Sequence, residues 1–136
     1  MELTLNNHIT ESNKPLILTT GIYDLLKKHL RTRNMRKYNK DKLILELRSA
    51  IQVQRKKLPE NVVTVNRIVQ LEELSTGEKY NYHLVAPGTA RNKNHTISLL
   101  SPIAVAILGY EEGTEVSLET SAGIRNFRIE KVCPLA

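Results

Sequence analysis

One short apolar segment, punctuated at both ends, most constrains what this chain can fold into. Ser101-Pro102 leads into Ile103-Ala104-Val105-Ala106-Ile107-Leu108, and Gly109 closes the run. Ser101 suits an N-cap, its hydroxyl accepting from an unpaired N–H of the first turn. Pro102 suits the first helical position, where a missing N–H costs nothing. Gly109 suits the left-handed residue that ends a helix. The run between is apolar almost all round, so a helix here must be buried against a sheet. Strand patterns before it (96–99) and after it (115–120) supply that sheet.

The remaining pattern divides at Leu58-Pro59-Glu60-Asn61, because proline disfavours helix at the residue before it. Residues 1–18 read as an N-terminal arm, within which Pro15-Leu16-Ile17-Leu18 can pair as an edge strand. Residues 19–58 read as a short antiparallel helical hairpin. Ile22, Leu25, Leu26, His29 and Leu30 share one face of its first helix, with Thr19 or Thr20 as cap. The second helix starts near Asn39 to Asp41 and turns Leu43, Ile44, Leu47, Ala50 and Ile51 inward. Beyond Pro59, strand periodicity over 62–65, 67–73, 79–85, 96–99, 115–120 and 124–132 predicts an antiparallel β domain spanning 59–136. The fold class is therefore α+β.

Composition excludes several alternatives. With 40% hydrophobic and 25% charged residues, the chain suits a globular fold rather than disorder. The single Cys133 offers no internal disulfide and no thiol pair for zinc. No apolar run is long enough to span a membrane, and Met1-Glu2-Leu3-Thr4 lacks a basic signal-peptide start, so a cytoplasmic monomer away from membranes is expected. The net charge of +6 is unevenly placed. Residues 1–60 hold 13 Lys and Arg against 6 Asp and Glu, whereas residues 61–136 hold 7 against 8. That asymmetry points to a phosphate-rich or acidic partner for the N-terminal element, and the same charges also suit solvated helix faces.

Chemistry-bearing constellations are scarce. His8, His29, His83 and His95 have no second ligand at metal spacing, and no Gly-rich phosphate loop or nucleophile elbow occurs. His29 reads as a half-buried packing residue. The acidic pairs Glu72-Glu73 and Glu111-Glu112 read as solvated surface, since neighbours in a strand point to opposite faces. Tyr80 and Tyr82 share a strand face and suit packing over the core; a base-stacking platform is the other use of such a pair. No catalytic residue, metal or cofactor is expected, so the chain reads as a non-enzyme.

The order Ser-Pro-Ile-Ala, three apolar residues, Gly and Glu-Glu-Gly-Thr-Glu-Val resembles the C-terminal domain of the GreA/GreB transcript cleavage factors. The resemblance runs from about Val62 to Val132 and takes in Val69-Gln70-Leu71, the turn Ser75-Thr76-Gly77-Glu78, and Ser121-Ala122-Gly123 before Ile124-Arg125-Asn126-Phe127. It implies an FKBP-like domain that docks on bacterial RNA polymerase at the rim of the secondary channel, through Leu100, Ser101, Pro102 and Ile103. Prolyl isomerase activity is set aside, because one Phe, five Tyr and no Trp cannot line the aromatic pocket it needs.

In those factors a long coiled coil presents an acidic pair whose metal cuts backtracked RNA. Here the tip carries Arg31, Arg33, Arg36, Lys37, Lys40 and Lys42 with only Asp41, read as a helix cap. The layout is similar to the short-armed Rnk branch, whose hairpin joins the domain through a segment like Pro59 to Asn66. The resemblance thus implies a polymerase-binding transcription regulator without intrinsic cleavage. The alternative is a basic nucleic-acid or nucleotide-phosphate-binding module gripping phosphates with Arg33, Arg36, Lys37 and Lys40. Those four lie in or beside one loop, beyond the reach of i,i+4 partners, and are expected to act electrostatically. A partnership with a nucleotide kinase rests on the branch's name alone.

Overall fold

The structure, a computed structural model, describes residues 14–89 and 95–134. Most of the expected N-terminal arm, including His8, lies outside them. The described elements are β1 (Ile17–Thr19), α1 (Thr20–Thr32), α2 (Lys37–Ser49), β2 (Ile51–Val53), a 3-10 turn (Arg55–Lys57), β3 (Arg67–Glu73), β4 (Lys79–Val85), β5 (Thr96–Ser98), α3 (Pro102–Ile107), β6 (Glu115–Thr120) and β7 (Gly123–Pro134).

The hairpin is built as its periodicity predicts, with different ends. Thr19 caps α1, its hydroxyl accepting from Ile22 N–H at 3.4 Å. Ile22 and Leu26 on α1, and Leu43 and Leu47 on α2, point inward at i,i+4 spacing. α2 begins at Lys37, before Asn39, so Asp41 is not its cap; it accepts from Lys37 Nζ instead. It also ends at Ser49 rather than near Pro59. Ile51 and Val53, β-branched, find a free strand edge in β1 and pair with it in parallel, Ile51 N–H donating to Leu16 O at 2.8 Å. Ile51 is consequently 48% exposed rather than on the inner helix face.

The segment 62–65 is buried but forms no regular strand. Val63 exchanges bonds with the end of α3, donating to Tyr110 O at 2.9 Å and accepting from Gly109 N–H at 3.0 Å. Asn66, at φ 61°, then turns the chain sharply into β3, which ends any continuous strand there. Arg67 secures this joint. It is buried, and its Nη1 donates to Pro59 O at 2.7 Å and Val62 O at 2.6 Å.

The main sheet has the order β5-β4-β3-β7-β6. Every pair in it is antiparallel except β4 with β5, so the sheet is mixed. Thr96 lies opposite His83, and β5 runs alongside β4 in the same direction. Leu26, Leu43 and Leu47 from the hairpin join Val69, Leu71, Leu84, Ile107 and Ile129 in one continuous core. The hairpin is therefore packed onto the β domain.

α3 occupies the place its punctuation implies. Ala104 through Ile107 are all buried, as an all-apolar helix requires. Gly109 has φ 87°, and a Cβ there would lie 2.7 Å from Leu18 Cδ2 and 3.0 Å from Leu16 Cβ. The glycine thus both ends the helix and admits β1 against it. Among the described residues no helix is long and apolar enough to cross a membrane.

Candidate docking turn and hairpin cavity

The turn that enters α3 is held by a compact set of bonds. Leu100 N–H donates to Ser98 Oγ at 3.0 Å, while Ser101 donates to Ser98 O from its N–H at 3.0 Å and its hydroxyl at 2.8 Å. Ser101 is thus a donor within the turn and makes no side-chain cap bond, in contrast to the N-cap role its position predicts. Pro102 is exposed on this turn, with Leu100 and Ile103 partly so.

The hairpin tip meets the same region. β6 is an edge of the sheet, and Asn39 from α2 covers that edge much as a neighbouring strand would. Its Nδ2 donates to Glu119 O at 3.0 Å and its Oδ1 accepts from Glu119 N–H at 2.8 Å. Tyr38 N–H adds a bond to Glu119 Oε1 at 3.0 Å. These bonds hold the tip down on the domain, eighty residues away in sequence for the Asn39 pair.

Between tip and turn lies a cavity of about 610 Å³. Arg33 and Arg36 line it from the tip, and Leu100, Ser101 and Pro102 from the turn. Two groups of residues singled out separately in the sequence therefore face one space. Lys37, Lys40 and Ile103 lie outside it.

Charge around the cavity is unequally compensated. Lys37 does have an i,i+4 partner, contrary to expectation, because α2 starts early enough to include it. The Asp41 carboxylate, 2.8 Å away, accepts its hydrogen bond and holds its ammonium above the ordinary lysine range. Lys42 pairs with Glu46 at 2.9 Å and lies 5.0 Å from the Tyr110 ring centroid. Glu46 also accepts from the Tyr110 hydroxyl. Arg33 and Arg36, by contrast, form no side-chain hydrogen bond or ion pair among the described residues. His29 lines the cavity too, and its Nδ1 is buried without a hydrogen-bond partner among the described residues. Burial, and then the Arg33 charge, hold its pKa below the ordinary histidine value.

The acidic pairs are only partly solvated surface: Glu112 is exposed as expected, Glu72 and Glu111 are half-buried, and Glu73 is buried. Glu73 is 5% exposed and accepts from Arg125 Nε at 2.8 Å. The Arg125 hydrogen bonds hold its carboxyl below the usual carboxylate range. Glu72 pairs with Arg128 at 3.3 Å, Glu111 with Lys14 at 2.7 Å, and Glu112 accepts from Val132 N–H at 2.9 Å. Folding brings each a partner that local spacing does not reveal. Tyr80 and Tyr82 stack with centroids 6.0 Å apart, and Phe127 meets Tyr80 edge-on, which makes them a packing face. Among the described residues no three His, Cys, Asp or Glu side chains cluster so as to hold a metal.

Asn39, Glu119 and Arg67 were not apparent as organising residues in the sequence. Each acts through a backbone group brought near by folding, and nothing in their local pattern signals it.

Known proteins carry the same domain. Residues 58–134 match the family described as transcription elongation factor, GreA/GreB, C-terminal. Transcription elongation factor GreA of Syntrophus aciditrophicus (strain SB) is 39% identical over 74 residues, which cover 54% of this chain and 46% of that protein. GreA of Listeria welshimeri is 41% identical over 71 residues, covering 52% and 44%. The chain thus spans under half the length of these curated relatives. Among solved structures, the prokaryotic transcription elongation factor GreA/GreB from Nitrosomonas europaea superposes with a TM-score of 0.66 at 27% identity, covering 89% of this chain and 99% of that one. Gfh1 of Thermus aquaticus shares the fold at a TM-score of 0.50 and 22% identity, covering 88% and 99%. With its β domain matched almost from end to end, this chain belongs to the GreA/GreB family of transcription elongation factors.

Proposed function

We propose that this protein binds bacterial RNA polymerase near the secondary channel, through the turn Leu100 to Ile103, and regulates transcription without promoting transcript cleavage. The observation that carries the reading is the bonded, exposed turn at Ser98–Pro102 in a domain of this family. A turn already ordered before binding loses little conformational entropy on docking. Two features of the hairpin support the second half. Its helices have 13 residues each, or about 20 Å at ~1.5 Å per residue, and its tip is bonded back to β6. The tip's one carboxylate, Asp41, is engaged by Lys37, leaving no acidic pair to hold a metal for hydrolysis.

The test is affinity for core polymerase. Replacing Pro102 and Ile103 together with Glu is expected to weaken binding by about 1–3 kcal/mol, as for interface anchors. Unchanged affinity, with the fold intact by circular dichroism, removes the docking reading. On backtracked complexes the protein is expected to leave RNA shortening at the polymerase's own rate. Stimulated shortening that is lost in Asp41→Asn overturns the second half.

A further inference from the structure

We propose that the cavity between the hairpin tip and the docking turn binds a small organic phosphate, with its phosphate held by Arg33 and Arg36 and its apolar or ring body against Met35, Leu43 and Val105. This goes beyond polymerase docking and does not require it, although the two share the wall formed by Leu100, Ser101 and Pro102.

Size favours such a ligand. A volume of about 610 Å³ lies within the ~300–1,000 Å³ typical of small-molecule sites. Chemistry divides the lining in the way an amphiphilic anion needs. Met35, Leu43 and Val105 make an apolar floor, and two guanidiniums stand at the tip end. Guanidinium groups fork onto phosphate oxygens in a bidentate manner. Arg33 and Arg36 flank a loop of only a few residues, so both start near one point. Neither is committed elsewhere among the described residues.

The lining stays net basic, because Lys42 balances Glu46 and leaves Glu119 alone against the two arginines. Glu46 is engaged by Lys42 and the Tyr110 hydroxyl, and Glu119 by Tyr38 N–H. Hydrogen-bonding groups on the lining remain for the ligand's body. Ser98 Oγ accepts from Leu100 N–H, and among the described residues its own proton has no acceptor. His29 also lines the cavity, and its buried Nδ1 has no hydrogen-bond partner among the described residues.

A nucleic-acid strand fits less well. Strand binding uses a track of cations along successive phosphates, whereas among the described residues two uncommitted arginines, Arg33 and Arg36, line this space. A nucleoside diphosphate matches both the pair of charges and the apolar floor.

The experiment is isothermal titration of the full chain with ADP, GDP, inorganic pyrophosphate, guanosine and a short single-stranded RNA. At least one nucleoside diphosphate is expected to bind at about micromolar Kd, with pyrophosphate and guanosine each at least about tenfold weaker. Arg33→Gln with Arg36→Gln is expected to weaken binding at least about tenfold. Lys56→Gln with Lys57→Gln removes the same charge from the distant 3-10 turn and is expected to change binding less than about twofold. Three results overturn the proposal: no nucleotide binding up to ~1 mM, equal losses in the two double variants, or RNA binding tighter than the nucleotide at the same arginines. Since polymerase is absent from this assay, its failure leaves the docking reading standing, and the converse also holds.

Discussion

The sheet and the tip of the hairpin are both rich in charge, and they dispose of it in opposite ways. On the sheet, Glu73 binds Arg125, while Arg128 reaches Glu72 at 3.3 Å, Glu115 at 3.0 Å and Glu130 at 3.7 Å. Lys79 adds a contact to Glu130 at 3.4 Å. Cross-strand neighbours only a few ångströms apart make such pairing easy. At the tip, Lys37 and Lys42 find partners one helical turn away, but Arg33 and Arg36 sit in the loop, where no turn of helix supplies one. The difference teaches where to look for function: charge that the fold itself neutralises is structural, and charge left facing a cavity is available to a ligand.

The two regions nonetheless share one core, and the largest predicted effect breaks them together. Leu26 is fully buried where the hairpin meets the sheet. Leu26→Ala is expected to cost about 2–5 kcal/mol, the usual range for such a cavity. Urea unfolding followed by far-ultraviolet circular dichroism should remain a single transition at a lower midpoint. Hydrogen exchange in β3 should accelerate in parallel with that in α1. Loss of protection in α1 alone would show that the hairpin is an independent unit.

Gly109→Ala attacks the joint between β1 and α3. It combines a left-handed backbone with a 2.7 Å approach to Leu18 Cδ2, and is expected to cost about 1–3 kcal/mol. Thermal denaturation checks it; an unchanged midpoint would mean that β1 yields freely to the added methyl.

A smaller change sharpens the contrast at the tip. Asn39→Ala removes both bonds to the Glu119 backbone and is expected to cost about 0.5–2 kcal/mol. Amide exchange should rise at Glu119 and in the first turn of α2, with β3 and β7 unaffected. Equal exchange in variant and parent would show that the tip is held by packing alone.

The last effect is one of shape in a pH curve. The Arg125 hydrogen bonds lower the Glu73 pKa in the folded chain, so folding favours its ionised form. That contribution is complete above the unfolded carboxyl pKa of ~4.3 and is lost as pH falls through the folded value. Glu73→Gln should therefore be less stable than the parent at neutral pH, and the gap should close below about pH 4. A constant gap down to acid pH would mean that shape, not charge, makes the pair.

Local pattern was enough for much of the architecture. Ser101-Pro102 and Gly109 bracket a helix because their backbone preferences operate within one turn, and Thr19 caps α1 for the same reason. The same reasoning failed at Ser101's hydroxyl and at Ile51, where a nearby carbonyl and a free strand edge competed with the local preference. The partner of Lys37 is not legible locally, because pairing with Asp41 depends on where α2 begins, and helix ends are weakly specified by sequence.

Of the candidate site, the sequence by itself determined the parts: an ordered turn at Leu100 to Ile103, a basic hairpin loop, and the family to which the β domain belongs. Only the tertiary structure decided that loop and turn face one cavity, that Asn39 seals the edge of β6, and that Glu73 is a buried brace. The physical reason is range. Capping, turn formation and helical periodicity act over a few residues, whereas the cavity exists only because a shared core and two hydrogen bonds of the Asn39 side chain bring residues 33–39 against residues 98–119.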